Sequence, residues 1–358
     1  MEYAYLGYSG LAVSKLGFGA MTFATEGGMP FAGLSRSDAA IVIDKLLDAG
    51  VTLFDTANVY CSGESEGILG DLLGDRRADT VIVTKGGSRA DRSPNDVGLS
   101  ARHLHMSIEG SLKRLGTDWI DVYLCHLPDT RTPIEETLLA LDQIVRSGKA
   151  RYIGFSNWPA WLASKAVAIQ KENGWARFVT GQYQYNLLDR EIEHEIVPAA
   201  IDAGVGIMAY SPLASGVLSG KYSDNDPTGS GGRLSKIQLL NDVDHALART
   251  VVSELLAIAQ ERNVPAAAVA LAWAAQQPSV STVLLGINRI DQADANLAAA
   301  DLLLSAEEVK RLSVLSQPTP RYPAAMLKAL GDGWGDPRDR DVAPRYADRG
   351  LWAADAAN

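Results

Sequence analysis

Eight short apolar runs, each followed by a stretch of helical periodicity, constrain this chain more than any other feature. They read LGFGAMTF, VTLFDTA, TVIVTKG, IDVYLCHL, ARYIGFS, FVTGQYQ, VGIMAYS and STVLLG. Near-continuous apolar strands separated by amphipathic helices mark parallel βα units, whose sheet is covered by helices. Eight units in 358 residues predict one (β/α)8 TIM barrel rather than two typical domains. An open doubly wound sheet is the competing architecture. It is disfavoured because no G-x-G-x-x-G follows the first run, where LGFGAMTF holds only part of that pattern.

Helix boundaries can be read locally. Ser35 and Asp38 open a helix that Gly50 closes. Thr132, Pro133 and Glu135 read as a capping box with proline at the first helical position; Ile134, Leu138, Leu141 and Val145 then share a face, and Gly148 ends the element. Three segments stand outside the alternation. MEYAYLGYSGLAVSKLG reads as a hairpin around Ser9 and Gly10 that plugs the amino end of the barrel. YSDNDPTGSGGRLSKIQ, after the seventh strand, is polar and glycine-rich and reads as a lid at the carboxyl end of the barrel. A tail from Gln317, rich in Pro, Gly, Asp and Arg, carries Tyr322, Trp334 and Trp352 and is expected over the barrel mouth. The chain is thus expected to be one domain, residues 1–358, with a core at about 16–316 and the tail at 317–358.

Composition narrows the function. The chain is 47% hydrophobic and 21% charged, as expected of a soluble globular protein. No run of about 18 apolar residues is present, and MEYAYLGYSG lacks the basic and apolar regions of a signal peptide, so a cytoplasmic location and no membrane partner are expected. The formal charge of -10 argues against a nucleic-acid surface. Cys61 and Cys125 are the only two cysteines, too few for a disulfide framework. The five histidines lack zinc-site spacing, so no metal is expected, and there is no P-loop or G-x-S-x-G elbow.

Asp55, Tyr60, Lys85 and His126 lie in LFDTANVY, VIVTKGG and DVYLCHLPD, where a strand runs into a loop. Each has a bland alternative: a strand-end cap, a half-buried aromatic, a solvated lysine, a core histidine. Together they form a set that can move a proton at a carbonyl. An unperturbed phenol has a pKa of about 10. A nearby ammonium stabilises the phenolate, a carboxylate fixes the ammonium, and an imidazole orients the carbonyl oxygen.

At these residues the chain resembles the aldo-keto reductases. FDTANVY, GESEGILG, TKGG, GTDWIDVYLCHLPD, IGFSN, GQYQYNLL, AYSPLASGVLSGKY and LLGINRIDQADANL match that family's motifs in its order, from about Leu16 to Asn296. SPLASGVLSGKY is most similar to the branch holding potassium-channel beta-subunit-like and bacterial reductases. The resemblance implies an NADP-dependent alcohol dehydrogenase or carbonyl reductase with Tyr60 as general acid and base, supported by Asp55, Lys85 and His126. It also implies cofactor contacts at Ala20, Met21 and Asp55, and along Ser211, Pro212, Leu213, Ala214, Ser215 and Gly216, whose small residues admit a pyrophosphate.

The remaining motifs suit a nicotinamide cofactor. Ser156, Asn157 and Gln182 are uncharged strand-end groups matched to a carboxamide, and Tyr210 offers a ring for stacking. Lys221 and Arg233 offer charge. Gly286, Asn288, Arg289, Gln292 and Asn296 surround a helix start, where a guanidinium could hold a 2′-phosphate. NADPH is therefore the expected cofactor, with NADH left open because relatives often carry the arginine one residue earlier, where this chain has Asn288. The substrate, a small carbonyl or alcohol, is expected against Phe23, Tyr60, His126, Trp158 and Trp334, with Met21, Phe31 and Tyr185 as further lining. Two other classes stay open: a non-enzymatic cofactor-binding regulatory subunit, and a Schiff-base aldolase using Lys85. Homo-oligomerisation is compatible with either.

Overall fold

The computed structural model describes residues 1–24, 34–89, 93–222, 244–323 and 325–326. The eight runs form the strands of a closed parallel barrel: β3 (Leu16–Gly19), β4 (Leu53–Asp55), β5 (Val81–Gly86), β6 (Ile120–Cys125), β7 (Ala150–Ser156), β8 (Phe178–Gln184), β9 (Gly206–Tyr210) and β10 (Val280–Leu285). Strand β10 pairs with both β9 and β3, so the barrel sheet has no free edge. Successive side chains of a strand point to opposite faces. Ile82, Tyr123 and Cys125 accordingly pack outward against the helices, while Val81, Val83, Val122 and Leu124 pack in the barrel interior.

That interior has a floor. Strands β1 (Tyr3–Tyr5) and β2 (Ala12–Ser14) form the expected antiparallel hairpin. Leu6 and Val13, both fully buried, join Leu53, Val179, Met208 and Leu284 in the interior cluster and seal the amino end. Among the described residues the open end of the barrel is then the carboxyl end, where loops assemble side chains from different strands.

Helices α1 (Arg36–Asp48), α2 (Glu64–Leu73), α3 (Ala101–Leu115), α4 (Ile134–Arg146), α5 (Ala160–Asn173) and α6 (Ile196–Ala203) follow successive strands. Among the described residues two helices, α7 (His245–Arg262) and α8 (Ala266–Ala275), lie between β9 and β10; α9 (Ile290–Leu297) and α10 (Ala306–Leu315) follow. Ser35 caps α1 by accepting from the Asp38 amide, and Gly50 takes a positive φ just past its end. At α4 the expected capping box does not form. Pro133 is the N-cap, and Thr132 Oγ1 instead donates to Asp129 Oδ2 at 2.7 Å. The helix starts one residue later than the box requires, and the Asp129 carboxylate, which also accepts from the Leu99 and Arg131 amides, holds the Thr132 hydroxyl in the preceding loop.

Among the described residues no helix is long and apolar enough to cross a membrane. The expected lid, Arg233, Phe31, Trp334 and all of the tail beyond Met326 lie outside the described residues.

Candidate active site

The four proton-transfer candidates converge at the carboxyl end because each belongs to a strand end. Asp55 closes β4, Lys85 is the penultimate residue of β5, His126 follows β6, and Tyr60 begins a short turn five residues past Asp55. Lys85 is fully buried. Its Nζ donates to Asp55 Oδ2 at 2.7 Å, to the Thr56 carbonyl at 2.8 Å and to Tyr60 Oη at 3.2 Å, which uses all three ammonium protons. Gln182 Nε2 donates to the other Asp55 oxygen at 2.7 Å, so both carboxylate oxygens are engaged.

Electrostatics follow from this packing. Burial works against the Lys85 charge, but Asp55 and Tyr60 outweigh it and hold the lysine above its ordinary pKa. Burial pushes the Asp55 carboxyl upward, opposed by the ammonium and by Gln182. Gly86 has a steric reason to be glycine: a Cβ there would lie 2.0 Å from Tyr123 Oη. A side chain at that point, next to Lys85, would have to push aside the buried Tyr123 ring and Ser107 Oγ.

His126 meets the Tyr60 ring edge-on, centroids 5.6 Å apart. Burial, assisted by the Lys85 charge, pulls its pKa down to about 3. The imidazole is therefore neutral through the physiological range and acts as a hydrogen-bonding group rather than a cation. A folded-state value below the free imidazole value of about 6.5 means that protonation is resisted until the pH approaches the folded value. The pH profile of kcat/KM should consequently show no histidine limb near pH 6 to 7. A limb there that vanishes in His126→Asn would contradict this.

A cleft of about 600 Å³ runs from Tyr60 and His126 past Ser156, Asn157 and Tyr210 to Lys221 and Arg289. Its inner end is neutral and polar. Ser156 Oγ donates to the Gln182 carbonyl, Asn157 Nδ2 donates to Ser156 Oγ at 2.9 Å, and Tyr210 Oη donates to Asn157 Oδ1 at 3.0 Å. These groups fix one another. Asn157 does so in the left-handed region, with a φ of 60°.

The outer end is cationic. Ser211, Ala214, Ser215 and Gly216 all have positive φ, a backbone form that turns successive amides toward one side. Lys221 has a lowered pKa, first from burial and then from Arg289. Arg289 grips Asp291 in a two-pronged contact, Nε to Oδ1 at 3.0 Å and Nη2 to Oδ2 at 2.7 Å. Gln292 accepts from the Asn288 amide, and Asn296 reaches the Gly286 carbonyl, so both shape the turn into α9.

The cleft brings together the predicted residues Met21, Asp55, Ser156, Asn157, Gln182, Tyr210 and Ser211, then Pro212, Leu213, Ser215, Gly216, Lys221, Gly286, Asn288, Arg289, Gln292 and Asn296. Ala20 and Ala214 do not line it. Ala20 is buried, with its carbonyl accepting from Ser65 Oγ, and Ala214 packs beside Val217 and Ala248. Phe23 and Trp158, expected as substrate contacts, do not line the cleft and are both fully buried. Phe23 packs on Phe18, and Trp158 stacks on Phe155 at 5.2 Å while its carbonyl accepts from Tyr183 Oη. Tyr185 is likewise turned into the core, its hydroxyl on Glu193. Large rings gain more from core packing than a loop position costs them. Gln184, Leu271 and Asp291 line the cleft unpredicted. Gln184 was within reach of sequence, because it lies two residues beyond Gln182 on the same strand. Leu271, on the wholly apolar helix α8, gives no such signal.

The chain was compared with known proteins. A family model described as Aldo/keto reductase family matches residues 15–317. A probable voltage-gated potassium channel subunit beta of Oryza sativa subsp. japonica is 38% identical over 90% of this chain and 98% of its own length. An uncharacterized oxidoreductase of Bacillus subtilis, YrpG, is 36% identical over 87% of this chain and 95% of its own. A versiconal hemiacetal acetate reductase of Aspergillus parasiticus is 32% identical over 90% and 99%.

Proposed function

The chain belongs to the aldo/keto reductase family, and we propose that this oxidoreductase interconverts an aldehyde or ketone and an alcohol with NADP(H), Tyr60 serving as general acid and base. The observation that carries the reading is the buried Asp55–Lys85–Tyr60 chain at the open end of the barrel, with a neutral imidazole beside the phenol.

The cleft fits a nicotinamide dinucleotide in the order of its chemistry. Neutral amide and hydroxyl groups lie next to the proton-transfer residues, and cationic groups lie at the far end. Asn157, Gln182 through its free carbonyl oxygen, and Tyr210 would hold the nicotinamide; the turn from Ser211 to Gly216 and Lys221 would hold the phosphates. When bound, the cofactor supplies the hydride. The protein's own part is proton transfer. Tyr60 gives its hydroxyl proton to the developing alkoxide in reduction and takes one back in oxidation. Lys85 stays charged and donates to the phenol oxygen, favouring the phenolate that is left behind. Asp55 fixes Lys85, and His126 donates or accepts at the substrate oxygen without changing charge.

NADPH consumption against a panel of aldehydes, ketones and sugars, with product identified, tests the reading. The relative named as a reductase supports turnover, whereas the relative named as a channel subunit supports the alternative of a regulatory subunit. Tight NADPH binding with no alcohol formed by any substrate would favour the second.

Cofactor choice has its own test. Arg289 is the exposed cation proposed for the 2′-phosphate, but Asp291 already occupies its fork. A charge-assisted contact contributes about 1.5–3 kcal/mol, and the Asp291 contact must be given up to make it. Arg289→Ala is therefore expected to weaken NADPH by about ten-fold, the lower part of that range, and to leave NADH nearly unchanged. Equal losses for both cofactors would assign Arg289 a structural role instead.

A further inference from the structure

The turn that carries Tyr60 is held in an unfavourable conformation. Cys61, Ser62 and Gly63 follow it with φ of 48°, 57° and 92°, three successive residues in the left-handed region. Non-glycine residues there persist only when their surroundings dictate it. The surroundings here are the first residues of α2. Ser65, fully buried, shares a hydrogen bond with Thr56 Oγ1 at 2.9 Å and donates to the Ala20 carbonyl at 2.7 Å.

Glu66 is also fully buried. Its Oε1 accepts from Thr84 Oγ1 at 2.6 Å, and its Oε2 accepts from Arg114 Nε on α3 at 2.7 Å. Thr84 is the residue before Lys85. Arg114 lies across Gly63, where an added Cβ would come 2.7 Å from its Cδ. One carboxylate thus bonds the strand that presents Lys85 and the guanidinium that covers the turn presenting Tyr60. A buried carboxylate is costly unless paired and fully hydrogen-bonded, as this one is. Its cost has no return in the α2 packing alone, where an apolar residue would serve.

We propose that Glu66, with Arg114, is a positioning residue that sets the Tyr60 hydroxyl against the Lys85 ammonium from behind the site. This rests on the reading of Tyr60 as the proton-transfer group. Weakening the brace lets the phenol drift from the ammonium, and displacements of about 1 Å at a reacting group cost on the order of a hundred-fold in rate.

The test uses Glu66→Gln, which keeps the shape and removes the charge, together with Arg114→Lys, which keeps a cation but removes the Nε contact to Glu66 and the guanidinium over Gly63. Both are assayed for alcohol oxidation across pH, where the phenolate is required, and for NADPH binding. The expected result is a fall of about ten- to a hundred-fold in kcat, an NADPH dissociation constant within a few-fold of wild type, and a rate limb displaced to higher pH in both variants. Lost kcat with the limb unmoved would make Glu66 a fold-stabilising residue only and overturn the proposal, as would wild-type kcat with an unmoved limb. If Glu66→Gln does not fold, Arg114→Lys carries the same two outcomes. Tyr60→Phe, run alongside, separates the levels: if it keeps turnover and the limb, the Tyr60 reading itself fails.

Discussion

Replacing Tyr60 with phenylalanine is expected to lower turnover by about 10²- to 10⁴-fold, the usual contribution of a positioned general acid, while NADPH affinity stays within a few-fold. The substitution removes one hydroxyl, the one that receives a hydrogen bond from Lys85 at 3.2 Å, and keeps the ring that meets His126 edge-on. Nothing that shapes the cofactor cleft is lost. The loss should fall on kcat and kcat/KM alike, because the proton is needed only in the transition state. Steady-state kinetics in both directions and a fluorescence titration with NADPH measure it. Retention of most of kcat would remove Tyr60 from the chemistry and leave the buried cluster as structure.

Lys85→Met should be inactive for a different reason and should also unfold more easily. Methionine fills most of the space but leaves Asp55 buried without its cation, holding only the Gln182 amide. Breaking a buried pair on one side costs about 3–5 kcal/mol. Burial already pushes the Asp55 carboxyl upward, and without the ammonium nothing charged opposes that. An acid whose folded pKa lies above its unfolded value stabilises the fold below the unfolded pKa and loses that contribution as pH rises through the folded one. The variant should therefore melt at a higher temperature at mildly acid pH than at neutral pH. The double variant Asp55→Asn/Lys85→Met should recover much of the stability and none of the activity. Thermal unfolding at several pH values, with kinetics on both variants, checks this. A Lys85→Met protein as stable as wild type and still active would show that the pair neither holds the site nor tunes it.

The barrel was legible because buried parallel strands read as continuous apolar runs, and all eight, from LGFGAMTF to STVLLG, are strands. The meeting of the four candidate residues was legible for a related reason. Asp55, Lys85 and His126 are the polar residues with which such runs end, and a barrel gathers its strand ends at one place. Features decided by distant partners were not legible. Thr132 matches a capping-box pattern, yet the helix starts one residue later, with Pro133 as its N-cap, and Asp129 holds the Thr132 hydroxyl in the loop. Phe23 and Trp158 lie at strand-end loops like the cleft residues, and only the space beside Phe18, Phe155 and Phe178 turns their rings inward. Glu66, within GESEGILG, looks like an exposed residue in the first turn of a helix. Its burial depends on Arg114, 48 residues away, and on Thr84. Arg289 was expected to hold a phosphate, but its pairing with Asp291 required the turn into α9 to be seen.

The central claim is that the buried Asp55–Lys85–Tyr60 chain delivers a proton to a carbonyl oxygen as NADPH is consumed. Its most direct measurement is the amount of alcohol formed per NADPH oxidised by wild type and by Tyr60→Phe, with the aldehyde or ketone of highest turnover. The account predicts one alcohol per NADPH in wild type and almost none of either product in the variant, at equal NADPH occupancy. NADPH bound by both proteins with no alcohol from either, or equal alcohol from both, would contradict it.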